Sequence, residues 1–107
     1  MKIAIPSMEE TLDSSISNNL GHSPFIIIYD SENKEYHSHV NPGYKLQDGS
    51  GLKVVEIIIQ NNIDTLLTME IGQKAYSVLL REKINIQLLN AVSTVKSAIS
   101  KFLKKGG

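Results

Sequence analysis

The sequence predicts an α/β fold: a mixed five-stranded sheet in the order 3-2-1-4-5 with its second strand antiparallel. Three features carry this. Short β-branched runs dominate the first forty residues, and helical and strand patterns then alternate to the end. The link between the second and third runs is short enough only for a hairpin. Helical patterns separate the later strands, and such crossovers are right-handed.

"KIAI" at Lys2 to Ile5 reads as a buried first strand ended by Pro6. Residues 7–23 are polar and rich in Ser and Asn, which reads as a long loop with a short irregular strand around Ser15 to Ser17. Long loops in compact domains often carry function. "FIIIYD" at Phe25 to Asp30 is the second strand, Ser31 to Lys34 has hairpin-turn chemistry, and "EYHSHV" at Glu35 to Val40 alternates as an edge strand does. Asn41-Pro42-Gly43 ends it. From Ser50 to Asn61, Leu52, Val55, Ile58 and Ile59 recur at the spacing of an amphipathic helix. A buried strand at Thr65 to Thr68 precedes Gly72 and a helix from Gln73 to about Lys83, with Ala75, Val78 and Leu79 inward. Ile86 to Leu89 form the last strand, and "STVKSAISKFLKK" the last helix, with Val95, Ala98, Ile99 and Phe102 inward.

At 107 residues the chain fits one domain, 1–107, and its 41% hydrophobic content supports a core. Eleven basic and eleven acidic residues cancel, so no field draws in nucleic acid or an anionic membrane. Cysteine is absent, which excludes disulfides, thiolate zinc sites, thiol nucleophiles and cysteine-ligated clusters held by this chain alone. The apolar start broken by Pro6 is too short for a signal peptide or a membrane span, and a cytoplasmic location is expected. No nucleophile–base–orienter set is visible, so no enzyme is expected. Glu9, Glu10 and Asp13 do not project from the sheet, which argues against a magnesium nuclease; Asp13 is expected to fix its own loop.

In this topology the 7–23 loop, residues 41–51, Met69 to Gln73 and Asn90 to Ser93 gather at the carboxyl ends of strands 1, 4 and 5. Open α/β sheets place ligands there. The predicted lining is Ser7, Met8, Asn18, Asn19, Gly21 and His22 from the loop, with Met69, Glu70, Ile71 and Gly72 after strand 4 and Asn90 and Ser93 closing one side. His22, in "GHSP" ahead of the second strand, is the candidate metal ligand, and Gly21 would let backbone approach a ligand. Gly72 opens a helix whose free N–H groups and positive dipole face the same edge, with Lys74 one turn in. His37 and His39 share a strand face away from this edge, and without a third ligand they read as a polar surface. Lys101, Lys104 and Lys105 suit a helix C-terminus.

"MKIAIP", "LDSSISNNLGHSPFIIIYD", "NPG", "IGQKA" and "VSTVKSAISKFL", in this order over nearly the whole chain, resemble the dinitrogenase iron–molybdenum cofactor biosynthesis family, the NifX-like domains also found at the C-terminus of NifB-type proteins. The resemblance implies a ribonuclease H-like three-layer fold. It also implies a cytoplasmic domain that binds or carries an iron–sulfur or iron–molybdenum cluster, with Asn19, Gly21, His22, Glu70 and Gly72 around it and a cluster-assembly protein as partner. Asn19 stands where the family commonly has histidine, and Met69-Glu70 replaces two glycines of a Gly-Gly-Ile-Gly turn. These departures support an alternative: a protein-interaction module that keeps the fold and has lost the cluster.

Overall fold

The computed structural model describes residues 1–46, 49–91 and 93–105. β1 (Lys2–Ser7) is buried from Ile3 to its end, a pattern that only a strand covered on both faces sustains. It is the middle of the sheet. β2 (Phe25–Asp30) pairs with it antiparallel, and β3 (Glu35–Val40) pairs with β2 through a hairpin whose turn ends at Lys34 in the left-handed region. β4 (Thr65–Thr68) lies parallel to β1 on its other side, and β5 (Asn85–Leu88) lies parallel to β4. The resulting order, β3-β2-β1-β4-β5, is the one the sequence predicts.

The two sheet faces carry separate apolar clusters. Ala4, Ile26, Ile28 and Leu66 face α1 (Ser50–Gln60) and α2 (Gln73–Arg81), which bring Val54, Val55, Ile58, Ala75 and Leu79. Ile3, Ile5, Ile27 and Leu67 face α3 (Val95–Lys104), which brings Val95, Ala98 and Ile99. Each fully buried isoleucine contributes about 1.5–3 kcal/mol by leaving water. α1 and α2 end without glycine: Asn62 and Lys83 take up the left-handed conformation, and the next residues, Ile63 and Ile84, fold back to donate to the Ile58 and Leu79 carbonyls.

Several expectations need correction. Pro6 does not end β1 but lies inside it, paired with Ile26. The Ser31 N–H donates to the Met1 carbonyl, so odd-numbered residues of β1 bond to β2 and even-numbered ones face β4. The β1–β4 ladder stops at Ala4 and Leu66, and beyond it the 15–17 stretch of the loop lies beside β1, with the Ser17 N–H donating to the Pro6 carbonyl, so proline forgoes only the reciprocal bond. Of the apolar residues at helical spacing, Leu52 and Ile59 are exposed, because a helix lying on one sheet face buries only a narrow stripe, here Ser50, Val54, Val55 and Ile58. Val78 and Phe102 are half-buried at the margins of their clusters. β5 starts one residue earlier than expected, at Asn85, and α2 stops at Arg81. Asp13 is exposed, and the hydrogen bonds in its stretch run between Thr11 and Ser14.

Candidate functional site

The 7–23 loop crosses the carboxyl edge of the sheet on three isolated bridges: Ser7 with Ile16, Ser15 with Thr94, and Asn19 with Glu70. It is irregular, as expected, yet fixed. The Ile16 N–H donates to the Ser93 carbonyl and the Val95 N–H to the Ser14 carbonyl, so the loop also closes the start of α3. Ser7 is buried, and its hydroxyl donates to the Glu9 carbonyl at 2.7 Å.

Asn19 is spent locally. Its Oδ1 accepts from the His22 N–H at 3.1 Å and its backbone runs beside Glu70, with the Leu20 N–H donating to the Glu70 carbonyl at 3.4 Å. This turn sets His22 at the surface. The His22 Nε2 lies 3.0 Å from the Leu46 carbonyl and 3.4 Å from the Ser50 hydroxyl. A carbonyl only accepts, so Nε2 carries the hydrogen and Nδ1 is the ring nitrogen left to meet a ligand. The ring is thus held between the Leu46 carbonyl and the Ser50 hydroxyl.

Gly21 meets a packing constraint of its own. It is buried, and a Cβ there would meet the Ser50 Oγ at 2.5 Å and the Gly51 nitrogen at 2.9 Å. Its bareness lets the loop press on the start of α1. Gly51 in turn lies against Ala75, so the first turns of α1 and α2 abut beside the loop. Both helices begin at glycine, Gly49 in the left-handed region at φ 75° and Gly72 in extended backbone. Among the described residues neither has a side-chain cap or an acidic residue in its first turn, whereas α3 is capped by the Thr94 hydroxyl accepting from the Ser97 N–H. Two adjacent helix N-termini therefore present orphan N–H donors and positive dipole ends at one edge. Space around Gly72 is open, and the exposed Glu70 side chain adds a negative charge to the rim.

The remaining predicted lining residues scatter. Met8 and Asn18 are exposed, while Met69 and Ile71 pack against opposite apolar clusters. Asn90 and Ser93 line a separate cavity of about 270 Å³ between β5 and α3, alongside Lys101 and Lys105. Gln47, Asp48 and Val92, which belong to the predicted loops, lie outside the described residues.

Asn41 is a residue that sequence reasoning passed over as a mere strand end. It is buried, and its Nδ2 donates to the Gly21 carbonyl at 3.0 Å and the Ser23 carbonyl at 2.9 Å while its Oδ1 accepts from the Gly43 N–H at 2.8 Å. Asn followed by Pro-Gly is a turn signal, and nothing local betrays the partners some twenty positions upstream. Among the described residues, no group of three or more His, Cys, Asp or Glu side chains is placed to hold a metal ion, and no helix is long and apolar enough to cross a membrane.

Known proteins can now be compared with this geometry. Curated proteins give no match. Among solved structures, the apo orange protein of Desulfovibrio gigas aligns with a TM-score of 0.90 at 23% identity, over 97% of this chain and 88% of its own. An NMR structure of a Thermotoga protein assigned to NifB has a TM-score of 0.83 at 26% identity, covering 96% of this chain and 87% of that one. A Methanocaldococcus jannaschii protein assigned as a dinitrogenase has a TM-score of 0.66 at 21% identity, with 98% and 89% covered. The structural likeness supports the sheet order and the flanking helices. The family follows from the sequence itself: residues 1–105 match the family model described as dinitrogenase iron-molybdenum cofactor, and the chain belongs to that family.

Proposed function

We propose that this chain, acting as a single cytoplasmic domain of ribonuclease H-like architecture, is a non-catalytic carrier of an iron–sulfur or iron–molybdenum type cluster. The family match over residues 1–105 carries this reading. The cluster is cargo. With no cysteine and one candidate histidine, this chain's donors suit a cluster that brings most of its own ligands. The open helix starts at Gly49 and Gly72 offer N–H groups and dipole to an anion, and Asn19 and Gly21 hold His22 so that Nδ1 can add one bond. Glu70 opposes a negative cargo, which favours weak, transient holding over permanent binding.

Anaerobic incubation of the purified chain with such a cluster, followed by gel filtration and metal analysis, tests the proposal. Wild type is expected to retain metal, and His22→Ala to retain several-fold less. Wild-type protein that never carries metal through the column overturns it. A second reading, a protein-interaction module without cluster, is favoured by the Asn19 side chain being consumed in its own turn. It predicts a specific protein partner captured by metal-free chain, with capture unchanged in His22→Ala.

A further inference from the structure

β3 is an edge strand with a free side, and the hydrogen-bond parity fixes which residues face it. The Asn41 N–H donates to the Pro24 carbonyl, so residues 41, 39, 37 and 35 bond toward β2, and the backbone groups of Tyr36, Ser38 and Val40 point outward. Among the described residues, no strand pairs with this edge. No Pro, Lys or bulge interrupts β3, although exposed edges are normally protected by one of these. Tyr36 and Val40 are exposed, Val40 to 72%, and the Ser38 hydroxyl is buried without a hydrogen-bond partner.

We propose that a second copy of this chain pairs antiparallel along β3, centred on Ser38, and that the pair completes a four-histidine site for one divalent transition metal ion. A two-fold pairing must bring outward-facing residues opposite one another. Centred on Ser38, it uses all three: Tyr36 faces the partner's Val40, Ser38 faces the partner's Ser38, and Val40 faces the partner's Tyr36. An aromatic side chain then covers a β-branched one twice, at the two exposed positions of the strand. Centring on His37 instead sets Val40 opposite Lys34, whose φ of 60° takes it out of the strand, so only Tyr36 and Ser38 would bond across the pair.

The same register sets His37 against the partner's His39 and His39 against the partner's His37, on the face shared with Ile26 and Ile28. Non-hydrogen-bonded cross-strand pairs have Cβ atoms about 4.5–5.5 Å apart. Alternate residues along a strand are about 7 Å apart. Four imidazoles thus surround the two-fold axis at a reach suited to one ion bound by ring nitrogens, the donors that Zn²⁺ and its neighbours take. A hollow of about 140 Å³ lined by Lys2, Asp30, Glu35, His37, His39 and Asn61 gives the histidines room on that face. Glu35 falls diagonal to the partner's His39, so a carboxylate supports the ligating ring on each side. One chain supplies half the site. A six-residue edge buries far less than the roughly 1,200 Å² of a stable interface, so the ion is what holds the pair together.

Sedimentation of the full chain, stripped of metal and then given Zn²⁺, tests this. Monomer is expected in chelator, and dimer once Zn²⁺ reaches half an equivalent per chain, with the Tyr36, Ser38 and Val40 amides newly protected from hydrogen exchange. The double variant His37→Ala/His39→Ala should lose the Zn²⁺ response, and Val40→Lys, at a surface position that leaves the fold intact, should weaken the dimer. A chain that stays monomeric in saturating Zn²⁺ overturns the proposal. So does a Zn²⁺-dependent dimer that survives the double histidine variant or leaves the Tyr36 and Ser38 amides unprotected.

Discussion

Asn41 grips Ser23 from the far end of the β2–β3 hairpin: its Nδ2 donates to the Ser23 carbonyl at 2.9 Å, within a site closed to water. Through this contact and the one to Gly21, the chain after β3 is clamped to the loop that displays His22. Asn41→Ala strands the Gly43 N–H and two buried carbonyls, and is expected to cost about 1–3 kcal/mol. Asn41→Asp keeps the acceptor for Gly43 but turns a carboxylate toward carbonyls, and should lose at least as much. Thermal unfolding of the two variants measures this, and wild-type melting in either would remove the clamp from the account.

Gly21 and Gly72, both candidate ligand-approach positions in the sequence, should part company on mutation. Gly21→Ala places a Cβ against backbone at Gly51 that cannot swing away, and overpacking of this kind costs about 1–3 kcal/mol. Gly72→Ala enters open space in an ordinary extended conformation, and should stay within about 0.5 kcal/mol of wild type. Urea midpoints for the pair decide between packing and mere loop freedom.

Three isoleucines in a row, Ile57 to Ile59, give a direct test of how α1 sits on the sheet. Ile58→Ala empties a fully buried site and is expected to lose about 2–5 kcal/mol. Ile59→Ala, at a position 39% exposed, should lose well under half of that. Equal losses would mean that α1 is rotated from the orientation described.

The sheet was legible because its information is local. Alternation in "EYHSHV", the short turn after Asp30 and the apolar run in "FIIIYD" each fix one strand, and the handedness of crossovers orders the remainder. Pro6 was misread because a strand can run on through a proline placed beyond the end of a neighbouring ladder, and where the β1–β4 ladder stops is not written locally. Leu52 and Ile59 fit a helical period equally well whether or not the sheet lies beneath them. In the site, the edge of the sheet was foreseeable from topology, and Asn19 does meet Glu70 there. The Asn41 clamp and the His22–Leu46 contact were not, since each joins a side chain to a carbonyl more than fifteen residues away, and carbonyls leave no mark in a sequence.

The position of β1 between β2 and β4 bears on how the chain reaches its fold. The β2–β3 turn closes over residues 31–34, whereas joining Ile3 to Thr65 closes a loop roughly fifteen times longer, which costs about 2.4 kcal/mol more in chain entropy. The antiparallel meander at the front can zip by short steps; the αβα half must find β1 by a long search, and only the pairs of Ile3 with Thr65 and Ala4 with Leu66 reward it along the strand. That junction, rather than any hairpin, is expected to set the folding rate.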